Sequence, residues 1–169
     1  MKKSTLFAAK RIVALFCCLI FIFSILCLPT AAEELSDLPL DMADTIYLYN
    51  IENKVPIVEK NCDELIYPAS TVKMMMGLVA IEHLAARLDE KITITPDMLT
   101  GVVGQYCGWL LAGDTPTVRD LLYHAICGGY NDAIAIITRV VAGSESSFVA
   151  LMNSKARSLG MSKTYYTNA

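Results

Sequence analysis

The sequence predicts an α+β fold. A β-branched, aromatic run at Thr45–Ile51 is joined by a short turn to a second extended run at Val55–Lys60, as in a hairpin. A long apolar helical pattern follows from Ser70 to about Arg87, and three more helical patterns lie between Thr117 and Gly160. Strands gathered at one end and helices at the other indicate α+β and exclude an alternating, parallel-sheet architecture.

The chain opens with Lys2, Lys3, Lys10 and Arg11, runs from Ile12 to Leu28 without a charge, and reaches Pro29-Thr30-Ala31-Ala32-Glu33. A basic start, an apolar middle and small residues before Glu33 predict a secretory signal over residues 1–32, cut after Ala32. An uncleaved anchor is the competing reading, because the apolar stretch is at the lower edge of spanning length. Leu26 ahead of Cys27 argues against lipid attachment there. Either way the rest of the chain is expected outside the cytoplasm of a bacterium, touching the membrane only through this segment.

Loss of the signal removes four of the fourteen basic residues and none of the seventeen acidic ones, leaving a net charge near −7. That balance argues against nucleic acid as a partner. The remaining 137 residues suffice for one core. Cys62, Cys107 and Cys127 are odd in number and fit no zinc spacing, so buried thiols are expected. His83 and His124 each sit in an apolar helical pattern and read as structural, which leaves little material for a Ser-His-Asp triad or a histidine metal site. No cofactor or metal is implied.

Residues 33–44 are acidic and interrupted by proline, and read as a flexible leader. Pro56 places the second hairpin strand at an edge, or itself among that strand's first residues. Pro68 ends the connection that follows, which puts Ser70 near a helix N-terminus. The helix is apolar on most faces, as a central core helix would be. Lys91–Thr95 alternates like a short strand up to Pro96, and residues 100–113, with four glycines and the only tryptophan, Trp109, read as irregular. Thr117 with Asp120 three residues on marks a capped helix start, and Gly128-Gly129 ends that helix. Asn131–Val141 is the next helix, capped by Tyr130 or Asn131 and closed by Gly143. Ser144 or Ser146 starts the last, whose periodic part runs from Phe148 to Leu159 and stops at Gly160. Residues 161–169 read as the beginning of an extended segment.

Ser70 and Lys73 are the candidate chemistry. Three residues apart on a helix, they share a face, so the lysine amine reaches back toward the serine hydroxyl. Partial burial favours a neutral amine able to take a proton. The bland reading is a capping serine followed by a surface lysine.

With these pieces in order, residues 45–169 resemble the N-terminal portion of the serine-type D-alanyl-D-alanine carboxypeptidases, low-molecular-mass penicillin-binding proteins of the S11 peptidase class. The matching stretches are Val58-Glu59-Lys60-Asn61, Pro68-Ala69-Ser70-Thr71-Val72-Lys73, Arg119-Asp120-Leu121-Leu122-Tyr123, Asn131-Asp132-Ala133 and Phe148-Val149-Ala150-Leu151-Met152-Asn153. The resemblance implies a β-lactamase/transpeptidase-like fold and a partial penicillin-binding domain over residues 45–169. It implies Ser70 as nucleophile, Lys73 as general base and Asn131 as the residue that orients substrate and lysine. Peptidoglycan stem peptides are the implied substrate, and β-lactams the implied covalent ligands.

Two departures qualify it. The family's second motif has a serine two residues before the asparagine, where this chain has Gly129. No Lys-Thr-Gly follows Asn131, so the strands that carry that motif and cover the central helix are expected to be missing from this sequence, as in a fragment or truncated copy. An apolar face of the central helix should then be left uncovered. A non-catalytic paralogue that binds peptidoglycan or a partner is the alternative function. An exported class A-like β-lactamase is the third, with Glu145 the only carboxylate after Asp132.

Overall fold

A computed structural model describes residues 40–102 and 106–169. The expected signal and the first part of the leader lie outside the described residues. The chain divides into two units, residues 1–64 and 65–169.

In the first unit, β1 (Ile46–Asn50) and β2 (Val55–Lys60) form an antiparallel hairpin. Tyr49 faces Pro56 while Leu48 faces Val58, so Ile57 is an extra residue that bulges the second strand. Proline cannot donate to a ladder, and in a two-stranded sheet its missing N–H can face the open side. Asn50 Oδ1 accepts from Asn53 N at 2.8 Å, and Lys54 takes a φ of 55° to complete the turn. Residues Leu40–Met42 make a 3-10 turn. Lys60 Nζ donates to the carbonyls of Leu40 and Ala43, each at 2.7 Å, and Asn61 Nδ2 donates to that of Asp44 at 3.0 Å.

The second unit is built around α1 (Val72–Leu84), which packs against all three later helices, α2 (Val118–Ile126), α3 (Asn131–Ala142) and α4 (Glu145–Ser158). A 3-10 turn, Ala69–Thr71, leads into α1 and another, Ala85–Arg87, leaves it, so the helical pattern read from Ser70 to Arg87 is present in three pieces. Met76, Val79, Ala80 and Leu84 of α1 are fully enclosed, with Leu121 and Ala125 of α2, Ile136 and Ile137 of α3, and Phe148, Met152 and Ala156 of α4. In α1, α2 and α4 spacings of three and four residues put each set on one helix face, and burial of each larger side chain contributes about 1.5–3 kcal/mol. Met74, Leu78 and Ile81, at the same spacing on another face of α1, are exposed.

The caps follow the sequence. Thr117 and Asp120 form a reciprocal capping box at α2. Ser144 accepts from Ser147 N at the start of α4. Gly143 ends α3 with a left-handed φ of 76°, a conformation that costs a side-chain-bearing residue about 1–2 kcal/mol. Buried Asn153 pins the C-terminal segment, donating to Tyr166 O and accepting from Tyr166 N, each at 2.8 Å.

The strand read at Lys91–Thr95 is not a regular one. Ile92 and Ile94 donate to the carbonyls of Pro116 and Asp114, and Gly113 donates back to Ile94, but only the Lys91–Thr117 bridge forms. Pro116 has no N–H to return, which keeps the ladder from extending. The thiols also differ from expectation: Cys62 and Cys127 are exposed and Cys107 is half-buried. Cys62 follows the hairpin in a turn, and Cys127 caps the C-terminus of α2 where the chain leaves the core.

Candidate active site

Pro68 is followed by Ala69 at a φ of 48°, a left-handed conformation that is uncommon for alanine. The chain turns sharply there, and Ser70 emerges exposed in the 3-10 turn ahead of α1. No side chain caps α1, and Ser70 Oγ has no hydrogen-bond partner among the described residues. Thr71, the N-cap, instead donates its hydroxyl backward to Pro68 O at 2.8 Å. The serine is therefore not a structural cap.

Lys73 is half-buried, and its Nζ donates to the Gly129 carbonyl at 2.7 Å. This bond ties the start of α1 to the turn between α2 and α3. Gly129 has a φ of 68°, and a Cβ placed on it would meet Lys73 Nζ at 3.3 Å with nothing else among the described residues within 4 Å. A serine there would place its side chain beside the lysine amine, so Gly129 leaves open the position the missing hydroxyl would occupy. Tyr130 does not fill it. Its ring lies against His124, with centroids 5.6 Å apart, and against Gly128 and Gly108.

Asn131 opens α3 and is half-buried, with its N–H donating to Tyr106 O at 2.7 Å. The same turn of chain thus carries Asn131 and the Gly129 carbonyl that holds Lys73. The histidines stand apart from this grouping. His83 hydrogen-bonds through Nδ1 to Val79 O at 2.8 Å within its own helix. His124 Nδ1 is enclosed beside Gly108, without a hydrogen-bond partner among the described residues. Glu145, exposed at the start of α4, accepts from the Ala169 N–H at 3.4 Å.

Asp132 is the residue whose importance the sequence did not show. It is 3% exposed, and its carboxylate accepts from Gly108 N at 2.9 Å and Ala133 N at 2.9 Å through Oδ1, and from Leu110 N at 3.1 Å through Oδ2. An acid after a helix start is ordinarily explained by the helix dipole. Here it fastens a loop more than twenty residues earlier in the chain. Between the two donors Trp109 takes a φ of 61°, which lets both flanking N–H groups converge on one carboxylate. Such a conformation costs a bulky residue about 1–3 kcal/mol.

Chemically, the grouping offers a primary hydroxyl on a left-handed turn with no hydrogen-bond partner among the described residues, an amine one helical turn away held by the Gly129 carbonyl, and Asn131 two residues beyond that carbonyl. These are the parts of a serine acyl-transfer site.

Comparison with known proteins agrees with this class. The family model described as D-alanyl-D-alanine carboxypeptidase matches residues 42–169. The D-alanyl-D-alanine carboxypeptidase DacC of Escherichia coli (strain K12) is 33% identical over 153 residues, covering 85% of this chain and 38% of DacC. The crystal structure of the D-alanyl-D-alanine carboxypeptidase DacD from Francisella tularensis superposes with a TM-score of 0.69 at 29% identity, over 78% of this chain and 32% of that one. An ancestral class A β-lactamase shares the fold, with a TM-score of 0.58 at 20% identity over 82% of this chain and 52% of that one. The chain belongs to the D-alanyl-D-alanine carboxypeptidase family, and its fold is the β-lactamase/transpeptidase-like α+β fold. It spans less than two fifths of the length of DacC and of the Francisella protein.

Proposed function

We propose that this chain carries the nucleophile, base and amide of a serine-type D-Ala-D-Ala carboxypeptidase acting on peptidoglycan stem peptides. The observation that carries the reading is the Lys73–Gly129 hydrogen bond beside an unbonded Ser70 hydroxyl. Lys73, held by its bond to Gly129 O, takes the Ser70 proton. Ser70 Oγ then attacks the carbonyl between two D-alanines, the terminal D-alanine leaves with a proton returned by Lys73, and water hydrolyses the acyl-enzyme. Asn131 orients the substrate amide. β-Lactams, which imitate the acyl-D-alanyl-D-alanine terminus, acylate the same serine.

The names of the similar proteins support the peptidase reading over the β-lactamase one. Residues 45–169 are the part of the penicillin-binding domain represented here, residues 33–44 its leader and residues 1–32 an export signal. The expected site of action is the bacterial cell envelope.

The test is release of D-alanine from an N-acyl-D-alanyl-D-alanine peptide by the protein, with Ser70→Ala as control. Release that stops with the substitution supports the carboxypeptidase. Gly129 favours a second reading, a non-catalytic relative that retains cell-wall binding. That reading predicts no D-alanine release and peptidoglycan binding unchanged by Ser70→Ala.

A further inference from the structure

Trp109 is 86% exposed although it is the only tryptophan in the chain. It is also held in a left-handed conformation that a bulky side chain disfavours. Packing does not explain it, since the indole is outside the core. What holds it is the buried Asp132 carboxylate, which accepts from the N–H groups on both sides of it.

The clamp also fixes where Trp109 stands. Asp132 follows Asn131, whose own N–H binds Tyr106 O in the same loop. Gly108 packs on the Tyr130 ring and His124, where a Cβ would come within 2.9 Å of His124 Nδ1. Gly129, next to Tyr130, binds Lys73. The loop at 106–110 is therefore fastened to the same short turn that holds the lysine. Tyr106 in the loop and Tyr67, three residues before Ser70, are exposed aromatics as well.

We propose that Trp109 is a substrate-contact residue. Clamped by Asp132 beside the Asn131 turn, it offers an apolar surface to the acyl side of the D-alanyl donor, and so favours donors with an apolar or aryl acyl group. Asp132 is the positioning residue for that contact. The inference rests on Ser70 being the acyl acceptor, and it adds a determinant of which acyl donor is taken.

As the only indole, Trp109 reports its own contacts by fluorescence. The Ser70→Ala protein, which cannot be acylated there, is titrated with N-phenylacetyl-D-alanyl-D-alanine and with its N-acetyl counterpart. The expected result is a saturable change in tryptophan emission and about two- to tenfold tighter binding of the phenylacetyl peptide, the range of an aromatic pair. In parallel, acylation of the otherwise native protein by benzylpenicillin and by 6-aminopenicillanic acid, which lacks the acyl group, is compared. Trp109→Ala should lower the benzylpenicillin rate relative to 6-aminopenicillanic acid by a similar factor. Trp109→Phe should retain the preference, and Asp132→Asn should weaken it.

An adduct on Ser70 with unmoved emission and an unchanged ratio in Trp109→Ala would overturn the contact and leave the acyl-transfer reading standing. A saturable emission change without any adduct would keep the contact and overturn the acyl-transfer reading. Neither signal from folded protein would overturn both.

Discussion

Among the described residues three helices begin at a hydroxyl residue, and two of them, α1 and α2, use it in opposite ways. At α2, Thr117 Oγ1 accepts from the Asp120 N–H, and Asp120 accepts in return from the Thr117 N–H and hydroxyl. Every group at that start is engaged. At α1, Ser70 is exposed and its hydroxyl has no hydrogen-bond partner among the described residues, the preceding Ala69 is in a left-handed turn, and no side chain caps the helix. The first arrangement serves stability. The second forgoes a cap worth about 1 kcal/mol and leaves a hydroxyl one helical turn from an amine, which is what nucleophilic chemistry requires.

Substituting the two hydroxyls tests the contrast. Ser70→Ala should abolish acylation by penicillin while shifting the unfolding free energy by less than about 0.5 kcal/mol, because the side chain is exposed and makes no hydrogen bond. A destabilisation matching that of a lost cap would break the comparison. Lys73→Met should slow acylation by about 10²- to 10⁴-fold, the range of a lost general base. Stopped-flow measurement with a chromogenic penicillin reads that rate.

Thr117→Ala should do the reverse of Ser70→Ala, costing about 1 kcal/mol of stability with acylation unchanged. It should also alter the acid limb of the stability curve. Hydrogen bonds from Thr117, the side-chain bond first, hold the Asp120 carboxyl below its usual 3.8. A depressed folded pKa gives stability that is present above the unfolded value and lost as pH falls through the folded one. The gap in thermal melts between Thr117→Ala and the parent should therefore narrow as pH falls below the usual carboxylate value, leaving the pH-independent loss of the Asp120 N–H cap bond.

Gly129→Ser tests the missing hydroxyl directly. The new Cβ would press on the flexible end of Lys73, whose Nζ is 3.3 Å away and must give slightly, and a φ of 68° costs about 1 kcal/mol. Faster acylation in this variant would show that the hydroxyl relay is what the glycine lacks. An unchanged rate would show that the Gly129 carbonyl suffices to direct the lysine.

The sequence made local features legible, and long-range ones less so. Thr117, Ser144, Gly143 and Gly160 mark helix ends through chemistry confined to one or two turns, and the structure places the ends where those residues stand. The hairpin and Ser70 ahead of α1 were legible for the same reason. The failure of Lys91–Thr95 to form a regular strand depends on Pro116, which no local pattern links to it. Asp132 was hidden in the same way, because its partners Gly108 and Leu110 are set by tertiary folding. The Lys73–Gly129 bond spans 56 positions, and no spacing rule in the sequence foretells it.

The most direct test of the contrast between the two helix starts is peptide mapping of the protein after reaction with a mass-tagged penicillin. The account predicts a single covalent adduct on the peptide that contains Ser70, absent in Ser70→Ala and retained in Thr117→Ala. A folded protein that takes no adduct, or takes it at another residue, would contradict the assignment of Ser70 as the reactive hydroxyl.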